Sequence, residues 1–398
     1  MTQTSIVWVG LLHRARVVTS FRLSMFYLLF FLAVGVTLPF MPAYFVSLGI
    51  SPTQVGVLLA VNPVLSLLMP PWWGQLADRT GHPGVVLLVL CLGGLLGYSV
   101  LLGASGFGSA LVAMALYSVF GSSVTAIVDS LSLQHLARTG GSYAHVRRWG
   151  SFGFVVATLG FGYSIVRVDR LAVLAPMLFL AGAALWCGLT LARAPRVTRT
   201  GPQPTVKAAL GLLRNKPFAL LLLATMLHWV ASTPYHGSLG THFTDLGLPP
   251  WTVGLTWGVA VSSEVVVMTL WPRWSHLLSA HGMLLVSFGV SALRWWSMAA
   301  TDNVVLLTAL AAVHGISFGA FYVSAVAEVA KHTPESLRAT GQALFTAITF
   351  GVGGLIGYAS SGVLYTHLGG HQLFAIAGVV ELLPIAVLLN LRVQKSEP

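Results

Sequence analysis

The chain has 398 residues, 56% hydrophobic and only 8% charged, with a mean hydropathy of +0.83. A soluble domain carries roughly 25% charged residues, so the composition excludes a water-soluble globule. Basic residues outnumber acids 21 to 10, a net charge of +11. They gather in short loops between apolar runs, so retention in a bilayer accounts for them and no nucleic-acid partner is expected.

Residues 1–20 form an N-terminal segment. The apolar stretch Ser5 to Leu12 is followed, not preceded, by the basic cluster His13-Arg14-Ala15-Arg16, which does not fit a signal peptide. Met25 offers an alternative start. A spanning helix needs about 20 apolar residues, and twelve candidates follow, at 23–46, 55–73, 84–103, 108–132, 149–167, 171–192, 218–241, 251–272, 282–300, 304–327, 340–364 and 371–391. With both termini cytoplasmic, 18 basic residues fall on the inside and only Arg167 and Arg170 outside, Arg294 being left within a span. The positive-inside rule therefore sets the orientation.

The nonapeptide LGISPTQVG, Leu48 to Gly56, returns 198 residues later as LGLPPWTVG, Leu246 to Gly254, with five of nine positions identical. A repeat at half-length points to two similar bundles in tandem. Between the bundles lies the long polar stretch of the chain. The expected organisation is an all-α membrane protein: a cytoplasmic segment (1–20), a six-helix bundle (21–193), a cytoplasmic linker (194–217), a second six-helix bundle (218–392) and a cytoplasmic tail (393–398). Cys91 and Cys187 each fall inside an apolar run and read as packing residues, so neither a disulfide nor a metal site is expected.

Between spans two and three stands GQLADRTG, Gly74 to Gly81. It resembles the loop signature of the major facilitator superfamily, with His82 and Pro83 in place of the terminal basic pair. Gly74 is expected to admit a neighbouring helix, Gly81 to make the tight turn, and Asp78 to face a helix N-terminus or a basic side chain. Gly74, Asp78 and Arg79 are therefore candidate gating residues.

An ionisable side chain within a span is expensive and marks a substrate or proton path by default. Those candidates are Asp129, Arg147, Glu264, Arg294, His314 and Glu381. Asp129-x-Leu, the run Tyr143 to Gly153 (Y-x-x-x-R-x-W-G-S-x-G), Glu264, Arg294-Trp295 and His314-Gly315 resemble the phenylpropionate-permease group of facilitators. That group is similar in turn to lactose permease and to proton-coupled nucleoside permeases. The resemblance implies substrate contacts for Asp129 and Arg147 and proton-coupling roles for Glu264, Arg294 and His314. Lactose permease has a proton-site acid one turn past that histidine. Here the position is Ser317, so Glu264 becomes the candidate proton carrier.

Plainer readings stand beside these. Asp129 with Arg147 fits a cytoplasmic gate, since Glu328 and Arg338 stand at similar places in the second half. Glu264 with Arg294 fits a structural pair, and His314 a satisfied core histidine. Glu381 reads as packing, with His228 and His236 as remote candidates. Trp72, Trp73, Trp271 and Trp274 fall near expected interfaces and read as belt residues. Trp149, Trp229, Trp257 and Trp295 are placed near a cavity, where an indole stacks on an aromatic or sugar ring.

The reading is a secondary transporter and not an enzyme, without cofactor or metal, working as a monomer in a bacterial-type inner membrane on a proton and a small solute. No Walker A motif is present. An aromatic carboxylate is preferred because Arg147, Arg148 and Arg294 outnumber the acids placed near the path. A neutral sugar or nucleoside, proton-driven efflux and a transporter-like sensor are the alternatives. An intramembrane protease at Ser105, within GASG, is the reading from another class, but that chemistry needs a shielded Ser–His pair.

Overall fold

The computed structural model describes residues 3–139, 143–165, 168–193, 211–274 and 277–393. The described residues form helices and turns, with no strand. Over the described residues each of the twelve expected spans coincides with helix, and they are numbered here one to twelve. The first nine are Gln3–Ser47, Pro52–Thr80, Pro83–Leu102, Phe107–Gly121 with Val124–Thr139, Tyr143–Ser164, Leu171–Leu189, Lys216–Asp245, Pro250–Trp274 and Ala280–Ala299. Span ten runs from Val304–Ala312 through a π-helical turn, Gly315–Ala320, into Phe321–Lys331. Span eleven begins at Arg338–Thr346, passes a second π turn at Ala347–Val352, and ends at Gly369. Span twelve continues from Gly370 through Leu382–Val393. Nine segments among the described residues are long and apolar enough to cross a membrane. One of them, Thr340–Asn390, covers both spans eleven and twelve. Spans five and nine fall outside that set; each carries arginine within its helix.

The ends follow from local chemistry. Proline opens spans two, three and eight, where its missing N–H costs nothing. The positive-φ residues are Gly49, Gly81, Gly247 and Gly369, each at a turn where any L side chain would be strained. Span four breaks at Ser122-Ser123, two weak helix formers. Span one is helical from Gln3, so the helix continues through the stretch read as an N-terminal segment. The expected linker lies outside the described residues as far as residue 210, as do Arg167 and the tail from residue 394.

The chain forms two compact units. The first comprises residues 1–37, 68–157 and 169–200, and the second 38–67, 158–168 and 201–398. In the first, the Thr37 and Tyr98 hydroxyls are hydrogen-bonded and Tyr98 meets Tyr117 edge-on with ring centroids 4.9 Å apart. Cys91 and Cys187 are both buried, at packing positions within their helices.

The second unit explains the repeat. Gly49 and Gly247 turn the chain, Pro52 and Pro250 start the next helices, and Gly56 and Gly254 lie where another backbone comes close. A Cβ on Gly56 would stand 2.4 Å from the Tyr358 carbonyl oxygen, with Gly362 alongside. A Cβ on Gly254 would stand 2.4 Å from the Thr158 carbonyl oxygen, with Gly162 alongside. Thr53 reinforces the first contact by hydrogen-bonding Thr366 Oγ1 through its amide at 3.0 Å and its hydroxyl at 2.8 Å. Around Phe218, Leu221, Phe288, Phe321 and Phe345 the unit builds a buried apolar core.

Candidate functional site

In the first unit the polar residues converge on Asp129. Tyr27 donates its hydroxyl to Asp129 Oδ1 at 2.5 Å and lies 3.3 Å from Ser132 Oγ. Tyr143, the first residue of span five, hydrogen-bonds the same carboxylate. Arg147 follows one turn later on that face, its guanidinium carbon 4.1 Å from the Phe31 ring centroid and 5.5 Å from that of Tyr27. Tyr27 and Phe31 are four residues apart, so one face of span one supplies both rings. Gly150 leaves room for this guanidinium, since a Cβ there would stand 2.5 Å from Arg147 Nη1 and displace it.

The structure brings Asp129 and Arg147 to one aromatic site and leaves Trp149 out. Two residues beyond Arg147, Trp149 lies about 200° around the helix. It is 39% exposed and packs edge-on against Phe152. Arg148 is also exposed. Nothing in the sequence distinguished Tyr27 from its aromatic neighbours in span one.

In the second unit a buried polar chain runs from span eight to span twelve. Arg294, 1% exposed, donates from Nη1 to His314 Nδ1 and to Ser317 Oγ, each at 3.2 Å. Its guanidinium carbon lies 4.3 Å from the Tyr235 ring centroid and 4.6 Å from that of Trp295. Because arginine only donates, His314 Nδ1 accepts, and in the neutral ring the proton resides on Nε2. That nitrogen faces Glu264 Oε2 at 3.9 Å. The approach of span ten to span eight depends on Gly315: a Cβ there would lie 2.6 Å from the Ser263 carbonyl oxygen, and its N–H donates to Ser263 Oγ at 3.0 Å.

The π turn extends the chain. The Phe321 N–H bonds Ile316 O, five residues back, rather than Ser317 O, four back. His228 Nε2 takes that place at 3.1 Å, and His228 Nδ1 meets Glu381 Oε1. Both residues of this pair are buried. His236 Nδ1 donates to Ser232 O at 3.0 Å, and the ring packs against Trp229, Trp257 and His314. Of the expected indoles, Trp229 sits in this aromatic cluster with Phe318 and Phe350, while Trp257 and Trp295 are packed almost wholly inside.

The gating candidates are placed differently from expectation. Gly81 makes the turn, but Gly74 has nothing within 4 Å of a Cβ, so it admits no close helix. Instead Gly74 and Asp78 line a cavity of about 210 Å³ with Ala126, Ser130 and Gln134, and Arg79 is exposed. Glu328 and Arg338 do not pair. Glu328 is held by Lys331 Nζ and His332 Nε2, each at 3.2 Å, because these lie one turn away on its own helix. Arg338 lies 3.6 Å from Glu335, both exposed. Trp73 is no belt residue: it is buried and donates to Val119 O at 2.9 Å. Ser105 lies exposed in the break between spans three and four, where its amide donates to Ser109 Oγ.

Residues 20–376 match the model of the MFS_1 like family, of the major facilitator superfamily. The chain belongs to that family. It is 30% identical over 374 residues to the maltose permease of Geobacillus stearothermophilus, covering 91% of this chain and 93% of the relative. It is 26% identical to the probable 3-phenylpropionic acid transporter of Escherichia coli K12, covering 90% and 94%. The crystal structure of the nucleoside transporter NupG matches with a TM-score of 0.83 at 18% identity, covering 93% of this chain and 98% of that one. The chain is thus a multi-pass membrane transporter of the facilitator fold, and not an enzyme.

Proposed function

We propose that this transporter is a proton symporter for a neutral hydroxylated solute, a sugar or a nucleoside, working by alternating access in a bacterial-type inner membrane with both termini cytoplasmic. The observation that carries the reading is the state of the arginines. A carboxylate substrate was favoured by three of them, but Arg148 is exposed and Arg294 is buried and engaged by His314 and Ser317. Arg147 remains, beside the acid Asp129 and the rings of Tyr27 and Phe31. One fork-shaped donor, one acceptor and two aromatic faces suit a hydroxylated ring without net charge. The maltose permease relative agrees with that class. In the second unit Glu264 is the proton carrier, with His314 Nε2 3.9 Å from its carboxylate and Arg294 as the cation behind it.

The second reading, an aromatic carboxylate, is favoured by the relative described as a probable 3-phenylpropionic acid transporter. Charge movement separates the two. A neutral solute entering with one proton carries one positive charge, whereas a monocarboxylate with one proton carries none. In proteoliposomes, maltose or a nucleoside is expected to drive an inward current and 3-phenylpropionate to drive none. Glu264→Gln should lose the current and uphill accumulation while retaining exchange. Electroneutral uptake of 3-phenylpropionate would install the second reading. Wild-type accumulation by Glu264→Gln would remove the assignment of the proton.

A further inference from the structure

Two acids belong to the polar chain of the second unit, and only Glu264 has a role so far. Glu381 interrupts span twelve between Gly353–Val380 and Leu382–Val393 and is fully buried. Its neighbour His228 is enclosed by Phe288 and Phe321, with ring centroids 4.9 and 4.2 Å away. A histidine and a glutamate in such surroundings cost more than an apolar pair of similar volume. Something other than packing is needed to account for them.

The hydrogen bonds define the protons. His228 Nε2 faces the Ser317 carbonyl at 3.1 Å, and a carbonyl only accepts, so Nε2 carries hydrogen. The other nitrogen, Nδ1, faces Glu381 Oε1, and that contact requires one proton between them. Two arrangements satisfy it: a carboxylic acid donating to a neutral ring, or an imidazolium donating to a carboxylate. Glu381 Oε2 decides between them. It is buried without a hydrogen-bond partner. An unpartnered carbonyl oxygen there costs less than the bare half of a carboxylate.

We propose that His228 and Glu381 form a second proton-binding site, holding one proton between Nδ1 and Oε1, with Arg294 as the cation shared between this site and Glu264. The inference rests on the symport reading. The charged or titratable groups facing the pair are Arg294 of span nine, connected through Ser317, His314 of span ten and His236 of span seven. Arg294 is a single positive charge between two acids: Glu264, 3.9 Å from His314 Nε2, and Glu381, reached through Ser317 and His228. One carboxylate balances it, so one acid is ionised while the other keeps its proton. The contact between Nδ1 and Oε1 and the unpartnered Oε2 make the His228–Glu381 pair the one that keeps its proton, so Glu264 is the ionised acid in this geometry.

Infrared spectroscopy of the purified protein in lipid tests this with the proton itself as probe. At neutral pH the wild type is expected to show a carboxylic-acid carbonyl band that shifts in deuterated water. The band should be missing from Glu381→Gln, and lost or much weakened in Glu264→Gln, where Glu381 is the carboxylate left to balance Arg294. Raising the pH while tryptophan fluorescence reports an intact fold should remove it, and Arg294→Gln should keep it under the same treatment. If Glu381→Gln does not fold, His228→Asn removes the ring that accepts the proton and should move the band. A wild-type band unchanged by either substitution overturns the proposal. So does a band that persists at every pH the folded protein tolerates, which marks a structural pair. These results leave the test of Glu264 by accumulation untouched, so the two readings fall separately.

Discussion

Arg147 shows at the residue scale how a side chain becomes useful inside a membrane. Its charge is spread over a plane that lies on Phe31 and beside Tyr27, while Gly150 leaves room for the guanidinium. A lysine ammonium is a point charge with no planar fork, so it reproduces neither the stacking nor the paired donation to a hydroxylated ring. Arg147→Lys is therefore expected to weaken maltose binding nearly as much as Arg147→Ala, by about 10-fold or more if one bidentate contact is worth roughly 1.5–3 kcal/mol. Equilibrium binding of radiolabelled maltose to the purified variants checks it. Normal binding by the lysine variant with only slowed transport would make Arg147 and Asp129 a gate. The residue scale is also where the sequence was least informative. Asp129, Arg147, Glu264, Arg294 and His314 stood out because a charge in an apolar run is conspicuous. Tyr27, Tyr235 and Ser317 did not, because tyrosine and serine are common in spans and nothing local says which of them meets a carboxylate or a guanidinium.

Elements explain how those side chains meet. Span ten would pass span eight at ordinary helix spacing were it not for Gly315, whose amide rests on Ser263. The π turn that follows redirects the Ser317 carbonyl to His228. Such turns recur at functional sites because they release one backbone group from the helix. Adding a single methyl at Gly315 puts a carbon 2.6 Å from a carbonyl oxygen and forces the spans apart. Overpacking of this kind costs about 1–3 kcal/mol, and it falls on the contact between His314 and Glu264. Gly315→Ala is expected to lower proton-coupled accumulation by about 10-fold while exchange and membrane insertion persist. Gly289→Ala, with open space around its Cβ, should behave as wild type. Equal accumulation by the two variants would show that this close approach does not position the coupling residues.

For the whole molecule, the proposed coupling of a neutral solute to one proton would set a ceiling on accumulation. At a potential of about 100 mV one charge contributes ~2.3 kcal/mol, and one unit of pH gradient ~1.4 kcal/mol. Together they sustain roughly 500-fold accumulation, at 1.4 kcal/mol per tenfold. Collapsing the voltage alone in proteoliposomes should lower the maltose ratio about 50-fold and leave about tenfold from the pH gradient. A ratio indifferent to voltage would contradict the transfer of a net charge.

The sequence by itself determined the membrane class, the twelve helical spans and the halved repeat. Hydropathy, prolines at helix starts and glycines at turns act over a few residues, and they are legible without knowing any partner. The same logic marked the ionisable residues of the spans. Tertiary structure decided the rest. Gly56 and Gly254 could be matched as a repeat, but that each lies against a distant backbone appears only in the packed chain. Trp149 was grouped with Arg147 by nearness in sequence, whereas the helical turn carries it to the opposite side. Glu328 and Arg338 looked like counterparts of a charged pair, yet each is satisfied by a neighbour on its own segment. Glu381 read as packing until span twelve set it against His228 in span seven. Those outcomes depend on which side chains meet across separate helices, and a long-range contact has no signature in the local run of residues that makes it.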